Sequence, residues 1–365
     1  MHRTSDLNIL DCRRLPAPAE LLAALPVTGP QAALVCHSRQ IIRDILAGRD
    51  PRLLVVVGPC SIHDLEAGRE YGQRLARLAR ELGDRLVIIM RAYFEKPRSS
   101  VGWPGMILDP ALDGSGDIAR GLRLARRFLG EMLDLGLPTA TEFLDPVSPQ
   151  YIADLVSWAA LGARTAESQM HRQLASGLSM PLGLKNGTEG SIRSAINAIK
   201  AAAQGQSFLG IAADGHAAAF RTAGNPDCHI VLRGGTDGPN YSAAHLAAVG
   251  HLLHRAGLPQ TIMVDCSHDN SGRRADRQPG IVAGVVGQRL AGNRSVMGLM
   301  LESHLFGGAQ KLAGPPGKLR YGVSITDECL DWISTERCLR ATHAALAEAA
   351  GGDKIAAPDR AVVAV

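Results

Sequence analysis

Aromatic residues make up only 4% of this 365-residue chain. That is too few for the stacking platforms that hold single-stranded nucleic acids. No run of five basic residues occurs, and the formal net charge is only +4, from 39 Lys+Arg against 35 Asp+Glu. A nucleic-acid partner is therefore not expected. No apolar stretch reaches the roughly 18 residues of a membrane span, so no membrane partner is expected either. The first residues, with His2, Arg3, Ser5 and Asp6, lack the apolar segment of a secretory signal. The seven cysteines (Cys12, Cys36, Cys60, Cys228, Cys266, Cys329 and Cys338) contain no C-x-x-C pair and are odd in number. Free thiols in a reduced cytoplasm follow.

What the chain does have is a regular beat. Short β-rich, almost wholly apolar runs fall at 53–57, 86–90, 137–140, 158–163, 180–184, 229–232, 261–264 and 296–301. Amphipathic stretches lie between them, among them 67–82, 117–135, 191–203, 243–256 and 280–290. Strands that do not alternate in polarity are covered on both faces, as in a parallel sheet. Eight of them with helical crossovers predict an α/β fold, a closed (β/α)8 TIM barrel, with an open doubly wound sheet as the alternative. The barrel is placed at 51–349. Before it, 1–50 forms an N-terminal extension with a helix near 31–47. A small β-hairpin is inserted at 206–225, turning at Asp214-Gly215. A tail rich in Gly, Ala and Val occupies 350–365. The extension and the hairpin are expected at an oligomer contact or a regulatory site.

Barrel chemistry sits at the carboxyl ends of the strands. The first polar residues there are, in order, Cys60, Arg91, Glu142, Arg164, Lys185, Arg233, His268 and Glu302. Four are cations. Guanidinium groups match the oxygens of carboxylates and phosphates in pairs, and cations converging on one mouth would repel until a polyanion arrived. The loop after the second run adds Lys96, Arg98, Ser99 and Ser100, a second anion site. Gly234-Gly235-Thr236 offers backbone N–H groups to a phosphate. Cys60, His268, Glu302 and, further on, Asp327 form a mixed sulfur, nitrogen and oxygen set. Such a set suits Mn2+, Fe2+, Co2+ or Zn2+ and leaves room for substrate.

Eight segments carry a resemblance to a known family: V-V-V-G-P-C-S-I-H-D at 55–64, R-A-Y-F-E-K-P-R-S-S-V-G-W at 91–103, T-E-F-L-D at 141–145, G-A-R-T-A-E-S-Q at 162–169, L-K-N-G-T at 184–188, H-I-V-L-R-G-G at 229–235, V-D-C-S-H-D-N-S at 264–271 and M-L-E-S-H-L at 300–305. Together they resemble the feedback-regulated 3-deoxy-D-arabino-heptulosonate-7-phosphate (DAHP) synthases, in register from about residue 39 to 336. The resemblance implies condensation of phosphoenolpyruvate with erythrose 4-phosphate, the first step of aromatic amino-acid synthesis. It implies a divalent metal on Cys60, His268, Glu302 and Asp327, acting as a Lewis acid toward the aldehyde. Arg91, Lys96, Arg164, Lys185 and Arg233, with the backbone at Gly162 and Ala163, would hold phosphoenolpyruvate. Lys96, Arg98, Ser99 and Asp327 would hold erythrose 4-phosphate. The catalytic set is then Lys96, Glu142 and His268, with Lys96 protonating the developing alkoxide and Glu142 handling the proton of water.

Two departures stand out. Ser99-Ser100 replaces the family's usual threonine pair and keeps both hydroxyls. Gly102-Trp103-Pro104-Gly105 replaces the usual G-W-K-G and removes one cation. An aromatic amino-acid effector is implied, with Ser179, Gln150 and Phe208 in its site. The segments at 145–149, 208–211 and 224–227 favour tyrosine. A homodimer or homotetramer is expected. The alternatives are a related phosphoenolpyruvate-using synthase (disfavoured by K-P-R-S-S at 96–100), a Schiff-base aldolase using Lys185, and a catalytically inactive effector-binding paralogue.

Overall fold

The structure, a computed structural model, describes residues 4–98, 100–312 and 316–352. Ser99 and most of the tail at 350–365 lie outside the described residues. Eight parallel strands close a barrel. They are β1 (Leu53–Gly58), β2 (Leu86–Arg91), β3 (Thr139–Glu142), β4 (Trp158–Leu161), β5 (Leu182–Lys185), β8 (Cys228–Leu232), β9 (Ile262–Asp265) and β10 (Val296–Glu302), with the hairpin β6 (Ser207–Ile211) and β7 (Ala217–Arg221) between β5 and β8. Every residue of the barrel strands is buried, as their unbroken apolar character requires. β3 starts two residues later than the apolar run, after Pro138, which has no N–H to give a ladder. The parallel registers run Val57 to Leu301 on one side of β1 and Val57 to Met90 on the other.

Between and around the strands lie α1 (Pro18–Ala24), α2 (Gly29–Leu46), α3 (Leu65–Glu81), α4 (Ile118–Asp134), α5 (Pro149–Ile152), α6 (Gln169–Ala175), α7 (Ile192–Ala202), α8 (Ala243–Arg255), α9 (Gln278–Leu290) and α10 (Trp332–Gly352). The apolar side chains form two layers. One lies between strands and helices and includes Val55, Val57, Ile88, Phe128 and Val285. The other fills the barrel lumen with Leu54, Val56, Ile89, Trp158, Val231 and Met300, and it includes Ile42 and Ile45 from α2. Thus α2 belongs physically to the barrel and packs on its lumen residues. Thr28 caps it, accepting from Gln31 N at 3.3 Å, and Arg39 ties it to the carbonyls of Ala153 and Val156.

The hairpin pairs in antiparallel register, Ser207 with Arg221 and Ile211 with Ala217. Its exposed turn reaches the extension, where Ala19 N donates to Ala213 O at 2.8 Å. No single helix among the described residues is long and apolar enough to cross a membrane. All seven cysteines are unpaired, and Cys12 and Cys36 are exposed.

Lumen packing is close where β4, β5 and β8 meet. A Cβ at Gly183 would overlap the Trp158 ring and Val231. Gly183→Ala is expected to destabilise the fold by about 1–3 kcal/mol. Chemical denaturation checks this; unchanged stability would mean that the ring has room to shift.

Candidate active site

At the carboxyl end of the barrel lies a cavity of about 500 Å3. Its lining comes from separate strand ends: Lys96 and Arg98 after β2, Glu142 from β3, Gly162, Ala163 and Arg164 after β4, Lys185 from β5, Arg233 after β8, His268 after β9 and Asp327 beyond β10. Five of the eight strand-end residues named from the sequence (Glu142, Arg164, Lys185, Arg233 and His268) thus line one cavity. Six lining side chains are cationic (Lys96, Arg98, Arg164, Lys185, Arg233, Arg273) and three are carboxylates (Glu142, Asp269, Asp327). The surplus of positive charge suits a polyanionic occupant. The 162–164 turn can sit close only because residue 162 has no side chain; a Cβ there would overlap the Glu142 carboxylate.

The expectation of mutually repelling cations needs correcting. Lys185, Arg233 and Arg91 each have a carboxylate beside them. Lys185 Nζ lies 3.1 Å from Asp265, Arg233 2.6 Å from Asp269 and Arg91 2.7 Å from Glu302. Asp265, Asp269 and Arg273 were not singled out from the sequence. Asp265 does carry a signal, as a carboxylate closing an otherwise apolar strand.

Arg91 takes a different place from the other cations. It is fully buried and is not among the lining residues. Its guanidinium donates to Pro59 O and Cys60 O, both at 3.2 Å, and to Glu302 Oε1 at 2.7 Å. The Tyr93 ring lies 3.6 Å beneath it.

Beside the cavity, the Cys60 thiol and the Glu302 and Asp327 carboxylates place ligand atoms within 4.8 Å of one another. His268 stands next to this trio, with Nε2 3.7 Å from Glu302 Oε1. Its Nδ1 meets Asp265 at 2.9 Å and Ser267 Oγ at 2.8 Å, so the partners of one nitrogen aim the other. His268 holds this pose at φ 54°, a left-handed conformation that costs a non-glycine residue of order 1 kcal/mol or more. The donor set fits a divalent transition metal: one soft sulfur, two hard carboxylates and an imidazole with a fixed free nitrogen.

Burial pushes the Cys60 thiol up to about 11, and Glu302 adds to this. Lys96 Nζ sits 3.1 Å from that sulfur. Burial works to lower the Lys96 ammonium, but Cys60, Glu302 and Asp327 outweigh it and raise the group. Burial likewise opposes Asp265, yet His268 and Lys185 hold its carboxyl well below the usual range. Asp327 is lowered against its burial by Lys96, His268 and Arg273.

Of the second anion loop, Arg98 and Ser100 line the cavity, and Arg98 Nε donates to Trp103 O at 2.8 Å. The effector candidates lie elsewhere. Gln150 is on α5. The carbonyl of Ser179 accepts from Arg43 at 3.2 Å. Phe208 stacks on Phe220 across the hairpin, with ring centroids 5.6 Å apart.

Residues 26–340 match the profile of the DAHP synthetase I family. The Tyr-sensitive phospho-2-dehydro-3-deoxyheptonate aldolase of Escherichia coli (strain K12) is 52% identical over 339 residues, which is 93% of this chain and 95% of that one. The Phe-sensitive enzyme of the same strain is also 52% identical, over 340 residues, covering 93% of this chain and 96% of that one. The Trp-sensitive enzyme is 49% identical over 337 residues, 92% and 96% of the two chains. A phospho-2-dehydro-3-deoxyheptonate aldolase structure from Francisella tularensis SCHU S4 superposes with a TM-score of 0.90 at 42% identity, covering 93% of this chain and 99% of that one.

Asp265 orients His268 and pairs with Lys185. Asp265→Asn is expected to weaken Mn2+ binding about 10–100-fold, as measured by calorimetric titration. Unchanged affinity would mean that His268 keeps its pose without the carboxylate.

Proposed function

The chain belongs to the DAHP synthetase I family, and from that premise we propose how its mouth divides the reaction. The reaction joins phosphoenolpyruvate to erythrose 4-phosphate with water and releases DAHP and phosphate. It opens aromatic amino-acid synthesis. The observation that carries this reading is the cation-rich cavity with a thiol–carboxylate trio at its side.

Arg164, Lys185 and Arg233, with the backbone of Gly162 and Ala163, hold the phosphate and carboxylate of phosphoenolpyruvate. Arg91 contributes from behind them by fixing Glu302 and the Cys60 carbonyl. Lys96, Arg98 and Ser99 hold the phosphate end of erythrose 4-phosphate, and Asp327 faces its hydroxyls. Cys60, His268, Glu302 and Asp327 would hold the divalent ion (Mn2+, Fe2+, Co2+ or Zn2+), which supplies Lewis acidity toward the aldehyde oxygen when bound.

Carbon 3 of the enol forms a bond to the aldehyde carbon, and the alkoxide takes a proton from Lys96. That lysine is suited to the role because its neighbours keep it charged despite burial. Water adds at carbon 2, and its proton passes to Glu142. The hemiketal phosphate then loses phosphate by cleavage of the carbon–oxygen bond. Lys185 lies in an ion pair with Asp265, which supports its role as an anion holder over that of a Schiff-base nucleophile.

The effector proposal is tyrosine. Relatives named for tyrosine and for phenylalanine are equally identical to this chain, so support comes from the local segments at 145–149, 208–211 and 224–227. The oligomer proposal, a cytoplasmic dimer or tetramer, rests on exposed apolar side chains in the extension and hairpin. Leu10 is 102% exposed and Leu209 87%, where a contact between copies would cover them.

Lys96→Met and Glu142→Gln are each expected to lower kcat by about 10^2–10^4-fold, with a smaller change in KM for phosphoenolpyruvate. Near-full turnover in either variant would remove that residue's role. In an inhibition assay tyrosine should suppress phosphate release; suppression by phenylalanine or tryptophan instead would overturn the effector proposal.

A further inference from the structure

Glu95 precedes Lys96 but points away from the cavity. Its side chain is only 2% exposed, and a buried carboxylate must find donors. Its donors all lie on the segment after β3. Asp145 N donates to Oε1 at 3.0 Å, while the Ser148 hydroxyl and Leu144 N donate to Oε2 at 2.9 and 3.5 Å. Ser148 stands at the N-cap position of α5, yet it makes no capping bond. Its hydroxyl donates to Glu95.

Both segments joined here contribute to the mouth. Lys96 and Arg98 follow Glu95, and Glu142 and Leu144 lead into the donor segment; all four line the cavity. The far segment is itself held. His171 Nε2 meets Leu144 O at 2.6 Å, and the Tyr151 hydroxyl of α5 donates to Pro16 O of the N-terminal extension at 2.8 Å. On the near side, Lys96 N donates to Pro104 O at 2.9 Å.

We propose that Glu95 is a positioning residue whose carboxylate clips the Lys96–Arg98 segment to the Glu142–Ser148 segment and thereby sets the erythrose 4-phosphate end of the mouth. The proposal rests on the division of roles given above. Burial pushes the Glu95 carboxyl up to about 7, while the bonds from Ser148 and Asp145 pull it down and the charge of Asp145 pushes it up. The neighbouring charged groups are Asp145 on the facing segment and Lys96 on its own, the latter engaged with Cys60; His171 is engaged with Leu144 O and Ser168. The ionised carboxylate accepts from all three donors at once, whereas a protonated one would turn the Ser148 hydroxyl from donor to acceptor, its hydrogen then going to Asp145 O at 3.1 Å. A proton on Oε2 would meet the N–H of Leu144. The clip is therefore complete above the folded pKa and loosens as pH falls through it. Stability runs in the opposite sense. A carboxyl whose folded pKa is raised favours the folded state most at pH below its ordinary value, and that contribution is lost as pH rises toward 7.

The test is the pH profile of kcat/KM for erythrose 4-phosphate at saturating phosphoenolpyruvate, in the metal-loaded protein. The unaltered protein should show an inflection near 7. Glu95→Gln, which presents an N–H2 group where donors converge, should lose that inflection and raise KM for erythrose 4-phosphate about tenfold or more. Ser148→Ala keeps the carboxylate but removes one donor, and should move the inflection to higher pH. This second variant keeps the test open if Glu95→Gln folds poorly. A Glu95→Gln profile that matches the unaltered protein, or a Ser148→Ala inflection that stays in place, would overturn the clip. Failure of the unaltered protein to release phosphate would instead overturn the reaction assigned to the site.

Discussion

A guanidinium sealed from solvent fixes the geometry of this mouth. Arg91 ends β2 and is buried in the barrel interior, where an unpaired charge would be very costly. It is therefore bound on every side: by the carbonyls that follow β1, by the carboxylate that ends β10, and by the Tyr93 ring. Those bonds fix where Cys60 and Glu302 stand, and with them the thiol–carboxylate trio. The same logic recurs around the barrel. Lys185 and Arg233 are each held by a carboxylate on or just after β9. Asp265 does two tasks, steadying Lys185 and aiming His268. The mouth holds several neutralised pairs, yet its lining has more cations than carboxylates, and that surplus of positive charge suits a phosphorylated ligand.

Much of this could be read from the chain because a parallel barrel writes itself plainly. Strands covered on both faces have no polar interruptions, so the end of each apolar run marks the first polar side chain at the mouth of the barrel. That is why position alone singles out Glu142, Lys185 and Glu302, which lie in the cavity lining or in the thiol–carboxylate trio beside it. Position does not tell which way a side chain turns. Arg91 resembles its neighbours in sequence, but it is buried at the top of the barrel interior, against Met300 and the Tyr93 ring, and does not line the cavity. The pairings of Asp265 and Asp269 are not legible in the sequence because pairing is a property of convergence, and no local spacing records that Lys185 and Asp265 meet. Arg273 sits in a loop whose path depends on the left-handed backbone of His268 and of Arg273 itself.

The parts outside the beat are less separate than their sequence suggested. α2 contributes Ile42 and Ile45 to the lumen core. α1 touches the hairpin turn through Ala19 and Ala213, and the segment before it touches α5 through Pro16 and Tyr151. From α5 the contacts run through Ser148 to Glu95 and so to Lys96. Lys96 in turn donates to the Cys60 sulfur. An unbroken set of hydrogen bonds and chain neighbours thus joins the N-terminal extension to the thiol beside the cavity, through groups that are mostly buried and so weakly screened.

The central claim is that the cation-lined cavity and the thiol–carboxylate trio work as one site. It is tested most directly by following phosphate release from phosphoenolpyruvate in the presence of erythrose 4-phosphate, using protein stripped of metal and then resupplied with single divalent ions. The account predicts negligible release from the stripped protein, recovery with Mn2+, Fe2+, Co2+ or Zn2+, and one seven-carbon product formed per phosphate. Full release from the stripped protein, or release that does not require erythrose 4-phosphate, would contradict it.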